Sequence, residues 1–169
     1  MVKKLVLRLL SLLVIVLLAS LWILLDATPA WARGETVNYT YAQLPDSDFS
    51  HKNLTGVSFA AADLRRANFQ QADLTDAIFT KATLIDVDFS GANLTRIWVD
   101  RVDMEGANLT NAIFRDATAT STNFANTIVT GADFTYTIMD RYQASLICKR
   151  ADGVNPFTGV DTRESLGCR

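Results

Sequence analysis

Ala62-Asp63-Leu64-Arg65-Arg66-Ala67-Asn68-Phe69-Gln70-Gln71-Ala72-Asp73-Leu74-Thr75-Asp76 states one rule three times in succession. Each unit of five opens on alanine, continues with an acid or its amide, and places a large apolar residue at its centre. Backwards at the same spacing the centres are Phe59, Leu54, Phe49 and Leu44. Forwards they are Phe79, Leu84, Phe89, Leu94, Val99, Met104, Leu109, Phe114, Ala119, Phe124, Val129, Phe134 and Met139, and only Ala119 is small. A helix repeats its apolar face at three and four residues, and a strand at two. A strict five fits neither, so the chain must turn a corner once per unit, as a solenoid does.

The two recurring positions have distinct physical demands. The centre must be large and apolar to fill the interior of a coil, and the residue two before it must be small because it lies at the crowded wall. Ala42, Ala62, Ala67, Ala72, Ala77, Ala82, Ala92, Ala107, Ala112, Ala117 and Ala132 meet the second demand. An interior packed this way holds no catalytic pocket.

With Gly91-Ala92-Asn93-Leu94-Thr95 added, these units resemble the A(D/N)LXX motif of the pentapeptide-repeat proteins. The resemblance spans residues 42–141. It implies an all-β fold, a right-handed quadrilateral β-helix with four units per coil and about five coils. Coils one strand spacing apart, about 4.8 Å, give a rod of roughly 24 Å.

The start of the chain differs in kind. Lys3, Lys4 and Arg8 precede a run from Leu9 to Leu25 that is almost wholly apolar, and Ala30-Trp31-Ala32 is a small-x-small site. That order reads as a secretory signal peptide over 1–32, cut after Ala32. The competing reading is an uncleaved membrane anchor, since the apolar run approaches the lower limit of about 17–25 residues for a span. In both cases the remainder is exported. Removing 1–32 takes away Lys3, Lys4, Arg8 and Asp26, leaving 13 basic against 17 acidic side chains and a net charge of −4. So modest an acidic balance argues against a nucleic-acid binder.

Both ends of a solenoid need covers. Thr36-Val37-Asn38-Tyr39-Thr40-Tyr41 alternates like a short strand and reads as part of a lead-in over 33–41. The first coil looks irregular, with Ser47 and Lys52 in inward slots and Pro45 in the wall. After Arg141 the five-residue rule stops and a cap over 142–169 begins. Asp140 is placed to cap a short helix with Gly153 as its stop, Asn155-Pro156 and Thr158-Gly159 are turn chemistry, and Asp161 or Thr162 is placed to cap a second helix ending at Gly167. Cys148 and Cys168 are the only two cysteines. In an oxidising compartment two cysteines suit one disulfide, with two free thiols as the alternative. A bridge would staple the two helices into a lid. Cys148, Gly153, Asn155-Pro156, Thr158-Gly159, Thr162-Arg163, Leu166 and Cys168 resemble the cysteine-bounded tail of exported pentapeptide-repeat proteins of cyanobacteria and the thylakoid lumen. The resemblance implies that location, or a periplasm, but no biochemical activity.

Catalytic signatures are missing from the sequence. It has no phosphate loop, no paired CxxC, no zinc-spaced histidines and no nucleophile elbow. His51, the only histidine, falls at an outward corner. The acids before the centres, such as Asp63, Asp73, Asp88, Asp103 and Asp133, read as partners of the turn backbone, not as paired catalytic acids. No catalytic residue, cofactor or metal is expected.

Departures from the repeat carry the functional signal. At a spacing of twenty, the residues before the centres on one face are Ser58, Ile78, Trp98, Thr118 and Ile138. Beside them a corner stacks Ala61, Lys81, Arg101, Ser121 and Arg141. An outward apolar stripe bordered by a basic column suits a partner-binding surface, with Trp and Arg as anchors. Two other readings stay open: the tail folds over the stripe, or the residues are tolerated wall packing. Asp76, Arg96 and Asp116 stack in alternating sign on another corner, as an ion ladder. The function expected is a non-enzymatic, exported, monomeric interaction module that binds a protein and supports assembly or regulation of a photosynthetic membrane complex. The alternative is the cytoplasmic, DNA-mimicking gyrase-inhibitor branch of the same family.

Overall fold

A computed structural model describes residues 37–169, together with Val14 and Val16, which are helical and exposed. The cleavage site after Ala32 and the rest of the segment before it lie outside the described residues. Among the described residues no helix is long and apolar enough to cross a membrane.

One five-residue unit explains the coil. In Leu64-Arg65-Arg66-Ala67, the Ala67 amide donates to the Leu64 carbonyl at 2.9 Å, which closes a four-residue turn. Its third residue, Arg66, sits at φ 59°, the left-handed conformation that type II turns require there. The same conformation recurs two residues after each centre, at Tyr41, Asp46, His51 and so on to Tyr136. Glycine supplies it only at Gly56, Gly91, Gly106 and Gly131. Side chains are tolerated at the other corners where, from Tyr41 to Asp116, the corner amide is also fixed to the next coil, as Arg66 is to the Ile85 carbonyl at 2.9 Å.

The residue before each centre forms a parallel bridge to the residue twenty later, so four units close one coil. Asn38, Ser58, Ile78, Trp98, Thr118 and Ile138 stack on one side, and Gln43, Asp63, Thr83, Asp103 and Asn123 on the next. Two sides follow in the same way from Asp48 and Asn53. Among the described residues only Thr118–Ala119 (β1) and Ile138–Met139 (β2) extend to two-residue strands, paired in parallel. Regular secondary structure is therefore sparse among the described residues, although most backbone groups in the coils are paired.

The acids and amides before the centres serve the turns, as the sequence suggests. The Asp73 carboxylate accepts from the Thr75 amide at 3.1 Å, and the Asn93 side chain accepts from the Thr95 amide at 3.2 Å. Asn93, Asn108 and Asn123 also donate down the stack to Asp73, Asp88 and Asp103.

Inside, every centre from Phe59 to Phe134 is fully buried or nearly so. Phenylalanines stack at a spacing of twenty: Phe59 on Phe79 at 4.9 Å, and Phe49 on Phe69 at 4.8 Å. The wall position is less restricted than the alanine rule implies. Val57, Val87, Ile97, Val102, Thr122 and Thr127 occupy it and remain buried. The threonines retain a partner there, Thr122 donating to the Val99 carbonyl and Thr127 to that of Phe124.

The start of the rod differs from expectation. Within 37–41 there is no lead-in strand. Asn38 already bridges Ser58, Tyr39 occupies a centre stacked on Phe59 at 5.0 Å, and Tyr41 forms a corner at φ 61°. Thr36 lies outside the described residues. The first coil is complete despite its substitutions, because Lys52 turns outward, donating to the Asp48 carbonyl at 3.0 Å with its ammonium over the Phe49 ring.

At the far end, helix α1 spans Arg141–Cys148 and helix α2 spans Thr162–Ser165. Asp140 stands at the N-cap of α1 but makes no capping bond; its carboxylate accepts from the Ser121 amide at 2.8 Å instead. Asp161 does cap α2, accepting from the Glu164 amide at 3.0 Å. Helix α1 ends at Cys148, before Gly153, whose role is close contact: its Cα faces the Gly131 backbone, where a Cβ would meet the Gly131 nitrogen at 3.0 Å.

Candidate interaction surface

The exposed stripe arises from the coil geometry. A residue before a centre points away from the interior, and the ladder sets each such residue above the one twenty earlier. Ile78 is therefore 39% exposed, Trp98 57% and Ile138 62%, on one side of the coil and joined by the bridges Ile78–Trp98 and Trp98–Thr118 and the β1–β2 pairing. Thr118 interrupts the apolar run between Trp98 and Ile138.

Lys81 and Arg101 are exposed on the adjoining corner, whereas Arg141, also exposed, opens helix α1 instead of forming a corner of the coil. Their charge is partly offset. Arg101 Nε donates to the Asp100 carboxylate at 2.7 Å, and Thr120 donates to the same carboxylate at 2.6 Å. The Thr120 hydrogen bond, supported by that of Arg101, holds the Asp100 carboxyl below the ordinary carboxylate range. Tyr41 heads the same column below Ala61, and its side chain is 77% exposed.

The lid covers other parts of the last coil. Asn155, fully buried, donates its side-chain amide to the carbonyls of Gly131 at 2.8 Å and of Asn111 and Ala112 at 3.2 Å. Its side-chain oxygen accepts from the Phe157 and Thr158 amides. The Gly131 amide donates to the Asp152 carbonyl at 2.8 Å. Arg150 spans two carbonyls of the last coil, donating to Thr127 at 2.7 Å and to Phe124. Burial lowers its pKa while leaving it a cation. Ser165 accepts from the Phe134 amide at 3.0 Å. Cys148 and Cys168 are bonded, with their Cα atoms 5.6 Å apart, and join the end of α1 to the residue after Gly167. None of these contacts falls on Trp98, so the fold-back of the tail over the stripe that the sequence leaves open does not occur at that residue.

Sequence reasoning missed the anchoring role of Asn155, since Asn-Pro before Thr-Gly reads only as a turn. It also missed Ile128, 51% exposed on the side opposite Trp98. Ile128 lacks an apolar neighbour on its ladder, which stacks Asp48, Asn68, Asp88 and Asn108 beneath it. The ion ladder is present in part. Arg96 meets Asp76 with two bonds of 2.7 Å, whereas Asp116 makes no hydrogen bond to Arg96. A second corner carries the same bidentate pair, Arg66 on Asp46, at 2.7 Å. Among the described residues no group of three or more His, Cys, Asp and Glu is placed to hold a metal ion, and His51 is exposed at a corner with φ 58°.

A family model for pentapeptide repeats matches the chain in eight copies, over residues 40–71, 58–96 and 100–135. The thylakoid lumenal protein TL20.3 of Arabidopsis thaliana, a chloroplastic protein, is 55% identical over 40 residues, which cover 24% of this chain and 14% of that relative. The chain thus matches far less than two thirds of that relative's length. A crystallised pentapeptide repeat protein from the Arabidopsis thaliana thylakoid lumen is 36% identical, over 78% of this chain and 85% of that one, with a TM-score of 0.45. A pentapeptide repeat protein from the cyanobacterium Cyanothece 51142 is 24% identical over 62% and 89% of the two chains, with a TM-score of 0.32.

Proposed function

The chain belongs to the pentapeptide-repeat family, whose fold is a right-handed β-helix, and on that premise we propose that it is an exported, non-enzymatic interaction module. The thylakoid-lumen location of the relatives supports the lumen, or a periplasm, as its compartment. The observation that carries the reading is the exposure of Trp98, 57%, on a ladder with Ile78 and Ile138 and beside Lys81 and Arg101, with Arg141 following at the start of α1. A rigid wall lowers the ordering cost of binding, and an indole offers the largest apolar area on that face. The basic column specifies the partner's chemistry: a protein surface presenting an apolar side chain flanked by carboxylates. In the host that partner belongs to a photosynthetic membrane complex whose assembly or regulation the module supports.

The DNA-mimic alternative needs a continuous acidic surface. The bidentate pairs Asp46–Arg66 and Asp76–Arg96 neutralise two corners and count against it. Replacing Trp98 with Asp tests the docking reading. The variant is expected to melt as the wild type does, because the side chain lies outside the interior, and to lose the proteins that wild type captures from the lumenal or periplasmic fraction. A variant that folds and still captures each of them overturns the assignment of the stripe.

A further inference from the structure

The lid holds a second candidate site. Between α1 and the residues around α2 lies a cleft of about 730 Å³, with the Cys148–Cys168 disulfide in its wall. Arg141, Lys149, Arg163 and Arg169 line it, and no acidic side chain does. The whole chain carries a net charge of −2, so the cleft reverses the prevailing sign. A carboxylate at the chain end of Arg169 would offset one of the four cations and leave the excess positive. Among the described residues every salt bridge lies on the coils, and none involves these four.

Local contacts fix part of the arrangement. Arg163 donates to the Cys148 carbonyl at 2.7 Å and to the Arg169 carbonyl at 3.4 Å, so its guanidinium is tied across the mouth of the staple. Arg141, Lys149 and Arg169 are exposed and leave their charges directed to solvent and ligand alike. Ala144, Leu166 and the sulfurs provide an apolar wall between them. A concave surface lined by one sign of charge focuses its field on an incoming anion. Its volume falls within the range of about 300–1,000 Å³ typical of ligand pockets.

We infer that this cleft binds an acidic segment of a protein, with carboxylates on Arg141, Lys149 and Arg169 and an apolar side chain against Leu166 and Ala144. The shape selects among anions. A flat lipid surface does not enter a concavity between two helices, and a free phosphate leaves the apolar wall unused. The site goes beyond the proposed docking of the stripe, which it adjoins only at Arg141. The disulfide makes it conditional: the bond joins the two walls, so its loss separates the cations that the fold brings together.

Fluorescence anisotropy with the oxidised protein tests the inference. The probe is a labelled peptide of alternating Glu and Leu, and its control has Gln for each Glu. Binding of the Glu peptide is expected to weaken as salt rises, because exposed charges are screened. The double variant Lys149→Glu with Arg169→Glu should weaken it at least about tenfold, since two attractive contacts become repulsive. Trp98→Asp should leave it within about twofold, which separates this site from the stripe. A thiol assay showing no free cysteine, with an unchanged melting curve, establishes that the lid of the double variant is intact. Equal binding of the Gln peptide overturns the proposal, as does a double variant with an intact lid that binds within twofold of wild type. Inorganic phosphate competing as well as the unlabelled peptide would reduce the cleft to a small-anion site, and binding to phosphatidylglycerol vesicles without binding to the peptide would make it a membrane contact; either overturns it.

Discussion

Asp76 and Arg96 belong to different coils, yet their side chains meet in two bonds of 2.7 Å because the coil repeats every twenty residues. The Arg96 hydrogen bond, outweighing the small desolvation penalty, holds the Asp76 carboxyl below the ordinary carboxylate range. A lowered folded pKa means that the pair supports folding above the unfolded value, about 3.9, and that the support is lost as pH falls through the folded value. Carbon NMR titration of the Asp76 carboxyl should therefore give a lower pKa in wild type than in Arg96→Ala. Equal values in the two proteins would show that the ion pair does not persist in solution. A larger effect is expected inside the coil. Phe69 stacks on Phe49 at 4.8 Å and on Phe89 at 5.2 Å, and meets Phe59 and Phe79 edge-on. Phe69→Ala should cost about 3–5 kcal/mol in urea unfolding, and a loss below about 1 kcal/mol would mean that the interior collapses around the gap. These residues were legible in the sequence because a period of five, taken four at a time, fixes both the centres and the stacked pairs. The extra room at Val57, Ile97 and Val102 was not, since wall size depends on how the coil relaxes around each side chain.

At the scale of the element, the lid and the coils have different supports. Most units of the coils have four backbone hydrogen bonds, around a continuous apolar interior, whereas the lid depends on the disulfide, the Asn155 anchor and a few buried residues such as Ile147 and Thr162. Closing a loop of about 20 residues constrains the unfolded chain by roughly 3 kcal/mol. Reduction should therefore raise hydrogen exchange after Arg141 and leave the coils protected; equal loss in both regions would show that the bond holds the whole fold. Asn155→Ala should act on the same element, costing about 1–3 kcal/mol because carbonyls of Gly131 and Ala112 lose a buried donor. Exchange that rises first in 150–160 is the expected signature, and an unchanged profile would argue against the anchor. The Asp161 cap and the cysteine pair could be read from residue type and spacing. The stop of α1 before Gly153 could not, because that glycine is selected by the approach of Gly131, a contact absent from local sequence.

For the whole molecule, the sequence conveyed the rod and its exposed column, since both follow from one arithmetic of five and twenty. It did not convey which part of the coil the lid would cover. That depends on Asn155 and Arg150 finding the carbonyls of Phe124, Thr127 and Gly131, in contacts 23 to 26 residues apart in the chain. Export belongs to the same scale, and N-terminal sequencing of the native protein should find Arg33 first; an intact Met1 on a cytosolic protein would contradict it. The docking claim is tested most directly by photo-cross-linking from position 98 in the native host, with Ile128 as the matched control. Ile128 is 51% exposed, close to Trp98 at 57%, but stands on the opposite side above a polar ladder. The account predicts a discrete cross-linked protein from position 98 and none from position 128. The same adducts from both positions, or none from position 98, would contradict it.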